Sequence, residues 1–169
     1  SAMNSDRLKE QAVRLVSYIK RCQTRDEHSR FGSSQSELTL VSLSHTLQLG
    51  REAMEERLAC VVSSLEELVQ KLRQYTSGRS SIEHLYRGSV KAGKGKADSL
   101  IEGEEGKEFL RNIAAQRKYD KLAQFWASGV DIDWRLLQTG RPPRRLSLPT
   151  YPFSKKRYWI DLRPPQSGQ

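Results

Sequence analysis

Leu148-Pro149-Thr150-Tyr151-Pro152-Phe153-Ser154-Lys155-Lys156-Arg157-Tyr158-Trp159 is the stretch that governs the reading of this chain. Prolines at 149 and 152 exclude a helix and drive the residues before them into extended conformation. Tyr151, Phe153, Tyr158 and Trp159 then sit on a stiff strap, interleaved with Lys155, Lys156 and Arg157. A strap cannot bury its own rings, so it lies on a surface made by something else: the core of its own domain, a neighbouring domain, or both. The residues nominated for a protein interface are Arg145, Leu148, Pro149, Tyr151, Pro152, Phe153, Arg157, Tyr158 and Trp159, with the rings buried and the cations at the rim. If the seat is on a neighbour, residues 145–160 of the isolated chain should be mobile or pair with another copy.

Upstream of the strap the chain reads as an α/β fold, with a small sheet of two to three strands and helices packed on it. Asn4 or Ser5 caps a helix to about Arg21, with Leu8, Ala12, Leu15, Val16 and Ile19 on one face. Residues 24–36, charged and then rich in Gly and Ser, read as a loop. A short second helix carries Leu40, Leu43 and Leu47 and stops at Gly50. Arg57 to Val62 is a strand with Leu58, Cys60 and Val62 on one side. Ser64-Leu65-Glu66-Glu67 is a capping box that opens a third helix, whose buried face is Leu65, Leu68, Val69, Leu72 and Tyr75. Ile82 to Val90 gives a second strand, holding His84. Phe109, Leu110 and Ile113 mark one further helix, and Tyr119, Leu122, Phe125 and Trp126 another that ends at Gly129. Val130-Asp131-Ile132-Asp133-Trp134 alternates as an extended segment with one polar face.

These elements divide the chain into residues 1–3, which look like a cloning remnant, an α/β subdomain (4–90), a flexible lysine-rich connection (91–105), a helical segment (106–129), an extended linker (130–162) and a disordered tail (163–169).

Composition narrows the function. Of 169 residues, 29 are Lys or Arg and 20 Asp or Glu, giving a net charge of +9. The cations scatter over Arg7–Arg30, Lys91–Lys96 and Arg141–Arg163 without a continuous basic face, which argues against nucleic acid as a partner. No apolar run reaches the roughly 20 residues of a membrane span, and no signal peptide is visible, so a cytoplasmic protein is expected. Cys22 and Cys60 stand alone and read as reduced thiols, Cys60 as a structural one.

Chemistry is sparse. His28, His45 and His84 neighbour no nucleophile elbow and share no zinc spacing. Lys91-Ala92-Gly93-Lys94-Gly95-Lys96 lacks the spacing of a phosphate loop. Asp131 and Asp133 fit an exposed strand face better than a catalytic pair. No cofactor, metal or catalytic residue is expected.

The strap closely resembles the end of the linker that follows the acyltransferase position in modular polyketide synthases. Thr46-Leu47-Gln48-Leu49-Gly50-Arg51-Glu52-Ala53-Met54-Glu55-Glu56-Arg57-Leu58-Ala59 resembles the linker after their ketosynthases, and Val130–Trp134 the segment before the strap. The likeness runs from about Asn4 to Ile160, departing at His45, where tyrosine is common, and at Ser42, where an acidic residue is common. Only a lysine-rich loop and two helices join Val90 to Val130, leaving no room for an acyltransferase with its Gly-His-Ser-type motif. The resemblance therefore implies a ketosynthase-flanking, acyltransferase-docking domain of a trans-acyltransferase synthase. It would be a non-catalytic scaffold that spaces the ketosynthase from the next domain and docks a free-standing acyltransferase. The alternatives are a recognition module for an acidic acyl carrier protein, acting through Arg141–Arg157, and a spacer with no external partner.

Overall fold

The computed structural model of the chain describes residues 1–28, 38–93, 103–138 and 140–152. Helix α1 spans Ser5–His28 and α2 spans Leu40–Leu49; strand β1 (Glu56–Cys60) is followed by α3 (Leu65–Thr76) and strand β2 (Leu85–Ser89). A single turn, α4 (Val90–Gly93), precedes α5 (Gly103–Ala115) and α6 (Tyr119–Ala127), and a 3₁₀ turn covers Trp134–Leu137.

The two strands pair antiparallel, with Arg57 opposite Gly88, Leu58 opposite Arg87 and Cys60 opposite Leu85. Because side chains alternate along a strand, the sheet has two different faces. Leu58 and Cys60, with Val62 beyond the strand, pack into a core with Leu8, Ala12 and Ile19 of α1 and Leu68, Val69, Leu72 and Tyr75 of α3. Arg57, Tyr86 and Gly88 meet α6 on the other face. Helices α5 and α6 keep a second core of Leu110, Ile113, Ala114, Leu122, Val130 and Ile132. The result is a layered α/β structure with one layer of helices on each face of a small sheet.

Local chemistry explains most boundaries. The Asn4 side-chain oxygen accepts from the Arg7 amide at 3.0 Å and starts α1. The helix then continues to His28, past the expected end near Arg21. Thr24 to His28 contain no helix breaker, so nothing in the local sequence ends the helix at Arg21. Residues 29–37, the remainder of the expected loop, lie outside the described residues.

Thr39 and Ser42 cap α2 reciprocally: the Ser42 amide donates to the Thr39 hydroxyl at 3.1 Å, and the Thr39 amide to the Ser42 hydroxyl at 3.2 Å. A carboxylate at position 42 would accept from the same amide. The buried face of α2 is Ser42, Leu43, His45 and Thr46, whereas Leu47 is exposed. This corrects the Leu40–Leu43–Leu47 stripe; the polar residues are buried because each has a partner.

At α3 the Ser64 hydroxyl accepts from the Glu67 amide at 3.1 Å, but the Glu67 carboxylate reaches one residue further back than a capping box requires. It accepts from the amide and the hydroxyl of Ser63 and pairs with Lys71 at 3.0 Å. The Ser63 amide, then Lys71, hold the Glu67 carboxyl down at about 2, against an ordinary 4.5. A depressed folded-state pKa contributes stability above the unfolded value and loses it as pH falls through the folded one. Thermal melts between about pH 5 and about pH 2 should therefore show a steady loss of stability that Glu67→Gln flattens; an unchanged profile in the variant would contradict this.

His84 is not in the strand. It precedes β2 in a left-handed conformation with φ of 55°, in a turn closed by the Leu85 amide donating to the Ile82 carbonyl. Helix α5 begins at Gly103, within the span read as connection, and residues 94–102 are outside the described set. Val130 and Ile132 are buried while Asp131 and Asp133 are exposed, as alternation requires. The sequence did not foreshadow the 3₁₀ turn, which the Asp133 carboxylate caps by accepting from the Arg135 amide.

Candidate functional site

The strap seats itself on its own domain through residue 152. Leu146 and Leu148 are buried while Arg145 and Ser147 face solvent, the alternation of an extended segment; exposed Thr150 breaks that alternation before Pro152 is buried again. Each buried leucine removes enough apolar surface to contribute roughly 1.5–3 kcal/mol. Three hydrogen bonds fix the path. The Leu146 amide donates to the Thr46 hydroxyl at 2.9 Å, which itself donates to the Ser42 carbonyl at 2.7 Å. Arg51 donates to the Pro149 carbonyl at 2.7 Å, and the Met3 amide donates to the Tyr151 hydroxyl at 3.1 Å.

The buried polar face of α2 is thus the seat. His45 belongs to it, its Nδ1 lying 2.8 Å from the Gln138 amide nitrogen. Residues 146–152 lie on this domain's own core, one of the seats the sequence allows. Phe153, Arg157, Tyr158 and Trp159, also nominated for the interface, lie outside the described residues. Of the nominated set, Arg145 is exposed, Pro149 and Tyr151 are half-buried, and Leu148 and Pro152 are covered by this domain's own core.

The segment read as a cloning remnant is also built in. Ala2 is fully buried and exchanges two backbone hydrogen bonds of 2.8 Å with Glu56 at the sheet edge. Since Met3 touches Tyr151, the first residues, the sheet and the strap converge.

A second seam joins the two cores. The Arg57 side chain is buried, and its Nη1 donates to the carbonyls of Trp126 and Val130, each at 3.0 Å. Its Nε donates to the Met54 carbonyl at 3.4 Å, and the guanidinium lies 5.2 Å from the centre of the Trp126 ring. On β2 the Tyr86 hydroxyl donates to Asp120 at 2.6 Å, and His84 Nδ1 lies 2.7 Å from the same carboxylate oxygen. Tyr86, then His84, lower the Asp120 carboxyl below its usual range. A signal for Arg57 lies in the sequence: a cation opening an apolar strand needs buried acceptors. Thr46, Arg51 and Asp120 carried no comparable signal.

Neither described histidine of this pair of seams meets a serine or cysteine; His45 is engaged by Gln138 and His84 by Asp120. No cluster of three or more His, Cys, Asp or Glu suited to a metal occurs among the described residues, and no described helix is long and apolar enough to cross a membrane. Both cysteines are free. Burial pushes the Cys60 thiol up to about 11. At about pH 8 it should react with a thiol reagent on the order of 100-fold more slowly than in the denatured chain; equal rates would show that the sheet face opens readily.

A layered domain that pins its own exit strap, with its polar groups spent on carbonyls and amides, has the build of a linker between larger bodies. Residues 1–79 match the family model described as "RhiE-like, KS-MAT linker domain". Polyketide synthases PksN and PksL of Bacillus subtilis (strain 168) are each 38% identical to the chain, over 99% and 96% of its length. The chain spans only 3% of either protein. The ketosynthase from module 6 of the bacillaene synthase of Bacillus subtilis 168 superposes with a TM-score of 0.80 at 28% identity, covering 94% of this chain and 26% of that one. The ketosynthase from module 1 of the bacillaene synthase of Bacillus amyloliquefaciens FZB42 gives 0.76 at 33% identity, covering 94% and 25%. The chain belongs to the ketosynthase-flanking linker domains of polyketide synthases.

Proposed function

We propose that the chain is a non-catalytic scaffold of a trans-acyltransferase polyketide synthase, holding the ketosynthase at a fixed distance from the next domain. One observation carries this reading: the Met3 amide meets the Tyr151 hydroxyl at 3.1 Å, so the strap passes beside the first residues of the fold. A ketosynthase joined ahead of the first residues would lie next to the strap at Pro152, which Phe153, Tyr158 and Trp159 follow in the sequence. Rings on a proline-stiffened segment lose little entropy on docking and bury much area. The trans arrangement is favoured because Val90 and Val130 are bridged by a stretch that holds α4, α5 and α6 and is too short for a catalytic domain.

The test is calorimetry on the chain alone and on the chain joined to its ketosynthase, each with Phe153→Ser, Tyr158→Ser and Trp159→Ser together. The joined protein should melt at lower temperature than its parent, and the isolated chain should be unaffected. Equal shifts in both would place the rings on this domain and overturn the reading. Docking of the free-standing acyltransferase is the finer part of the proposal, and titration of the joined protein with that enzyme checks it. Heat that saturates is expected; none would leave a spacer whose partner is the ketosynthase.

A further inference from the structure

Helix α6 is fastened to the sheet at two points of different chemistry. At its C-terminal end Arg57 donates to the Trp126 and Val130 carbonyls, and Gly88 lets the Ala127 carbonyl oxygen come close to β2. A guanidinium keeps its charge throughout the pH range in which proteins work. At the other end Asp120, in the first turn of α6, is bound by Tyr86 and His84. The second fastening, unlike the first, contains an imidazole, the side chain whose charge changes between about pH 5 and 8.

The surroundings of His84 suit the protonated ring. Nδ1 lies 2.7 Å from an Asp120 carboxylate oxygen, and Nε2 lies 3.4 Å from a Glu83 carboxylate oxygen. Both ring nitrogens thus face acceptors, and only the protonated ring has a donor on each. The neutral ring turns a lone pair toward one of the two carboxylates. It can keep the bond to Asp120, but without the charge that makes such a bond roughly twice as strong. From α3 Lys71 opposes a second cation here, since its ammonium donates to the Glu83 carbonyl at 2.9 Å and acts on Asp120. Lys71 is itself balanced by Glu67 at 3.0 Å. Burial, then Asp120, push the Tyr86 hydroxyl up, so it stays a donor throughout. The turn before β2 explains the conformation of His84 but not its side chain. The Leu85 amide donates to the Ile82 carbonyl at 3.2 Å, which puts His84 where a φ of 55° is needed. Glycine or asparagine meets that need at less cost, so it is the reach of the ring that favours histidine.

We propose that His84 is a proton-operated latch on the N-terminal end of α6: the protonated ring holds that end on β2, the neutral ring slackens it, and the helix pivots about the end that Arg57 holds. The contribution of His84 is full while its ring is protonated and is lost as pH rises, because both partners are carboxylates. Asp120, held low by Tyr86 and then His84, contributes above the acid range and loses its contribution as pH falls. The latch is therefore tightest between those limits, at about pH 5–6. Helix α5 shares a core with α6 and moves with it, so the whole helical layer on this face of the sheet follows the proton. The latch is separate from the strap, and the proposal stands whichever domains flank the chain.

The experiment is amide hydrogen exchange of the whole chain by NMR at about pH 5.5 and about pH 8, corrected for the intrinsic pH dependence of exchange. Two amides report the two ends of α6: Leu122, which donates to the Lys118 carbonyl, and Val130, which donates to the Phe125 carbonyl. Protection of Leu122 should fall about 2- to 5-fold from the lower pH to the higher, while that of Val130 holds. His84→Asn keeps a residue suited to the left-handed turn and removes the titrating ring, so the fall at Leu122 should disappear. No change at Leu122 in the parent, equal changes at Leu122 and Val130, or the same pH dependence in His84→Asn would each overturn the proposal.

Discussion

Replacing Arg57 with alanine should destabilise the chain by about 3–5 kcal/mol and loosen α5 and α6 from the sheet before the rest of the fold yields. A buried guanidinium is costly to desolvate, so its presence alone argues nothing for stability. What decides the sign is what truncation leaves behind. The carbonyls of Trp126 and Val130 each lose a 3.0 Å bond, and the Trp126 ring loses the cation beside it. The Trp126 carbonyl keeps the Gly129 amide at 3.1 Å, so the main cost is the Val130 carbonyl left without this donor, about 1–3 kcal/mol, and the emptied volume adds to that. Arg57→Lys keeps the charge but presents one ammonium where two carbonyls were served by a planar fork, so about half the loss should remain. Denaturant titration measures the loss, and amide exchange should show α5 and α6 losing protection while α1 and α3 keep theirs. Uniform loss across the chain, or a loss under about 1 kcal/mol, would mean that Arg57 is not the clamp.

The second large effect is expected at Gly88, opposite Arg57 in the ladder. A Cβ added there would lie 2.2 Å from the Ala127 carbonyl oxygen and 3.0 Å from its carbon. Both atoms are backbone, so no side chain can rotate away. Alanine would ordinarily gain about 0.5–1 kcal/mol over glycine within a strand. Here the clash outweighs that gain, and Gly88→Ala should cost about 2–3 kcal/mol by forcing α6 off the sheet. The edge-to-face pair of Trp126 and Trp134, with ring centres 6.0 Å apart, lies beside the displaced helix. Near-ultraviolet circular dichroism should therefore lose intensity while the far-ultraviolet spectrum changes little. A variant as stable as the parent would show that the close approach of α6 to β2 is not needed.

Periodicity carried the parts of this fold that bury apolar surface. The face of α3, the alternation of Val130 to Asp133 and the two strands around Leu58 and Leu85, though not their antiparallel pairing, were legible because one residue type repeats at one spacing. What stayed hidden was polar. The buried side of α2 is read as surface by composition, since Ser42, His45 and Thr46 become interior residues only once Leu146 and Gln138 arrive from about a hundred positions away. The end of α1 stays hidden for a related reason: a charged segment without a breaker is as readily helix as loop. The strap was legible as extended and amphipathic, but its seat was not. A sequence names rings in need of a surface; whether that surface is α2 or another domain depends on contacts between distant residues.

The strap offers the most direct check on the scaffold account. Amide hydrogen exchange would be followed for residues 146–159, in the chain alone and joined to its ketosynthase. Leu146, which donates to Thr46, and Leu148, which donates to the Leu146 carbonyl, should be protected in both. Residues 153–159 should exchange more slowly once the ketosynthase is joined. Identical exchange of 153–159 in the two proteins would contradict the account, because the rings would then owe nothing to the neighbouring domain.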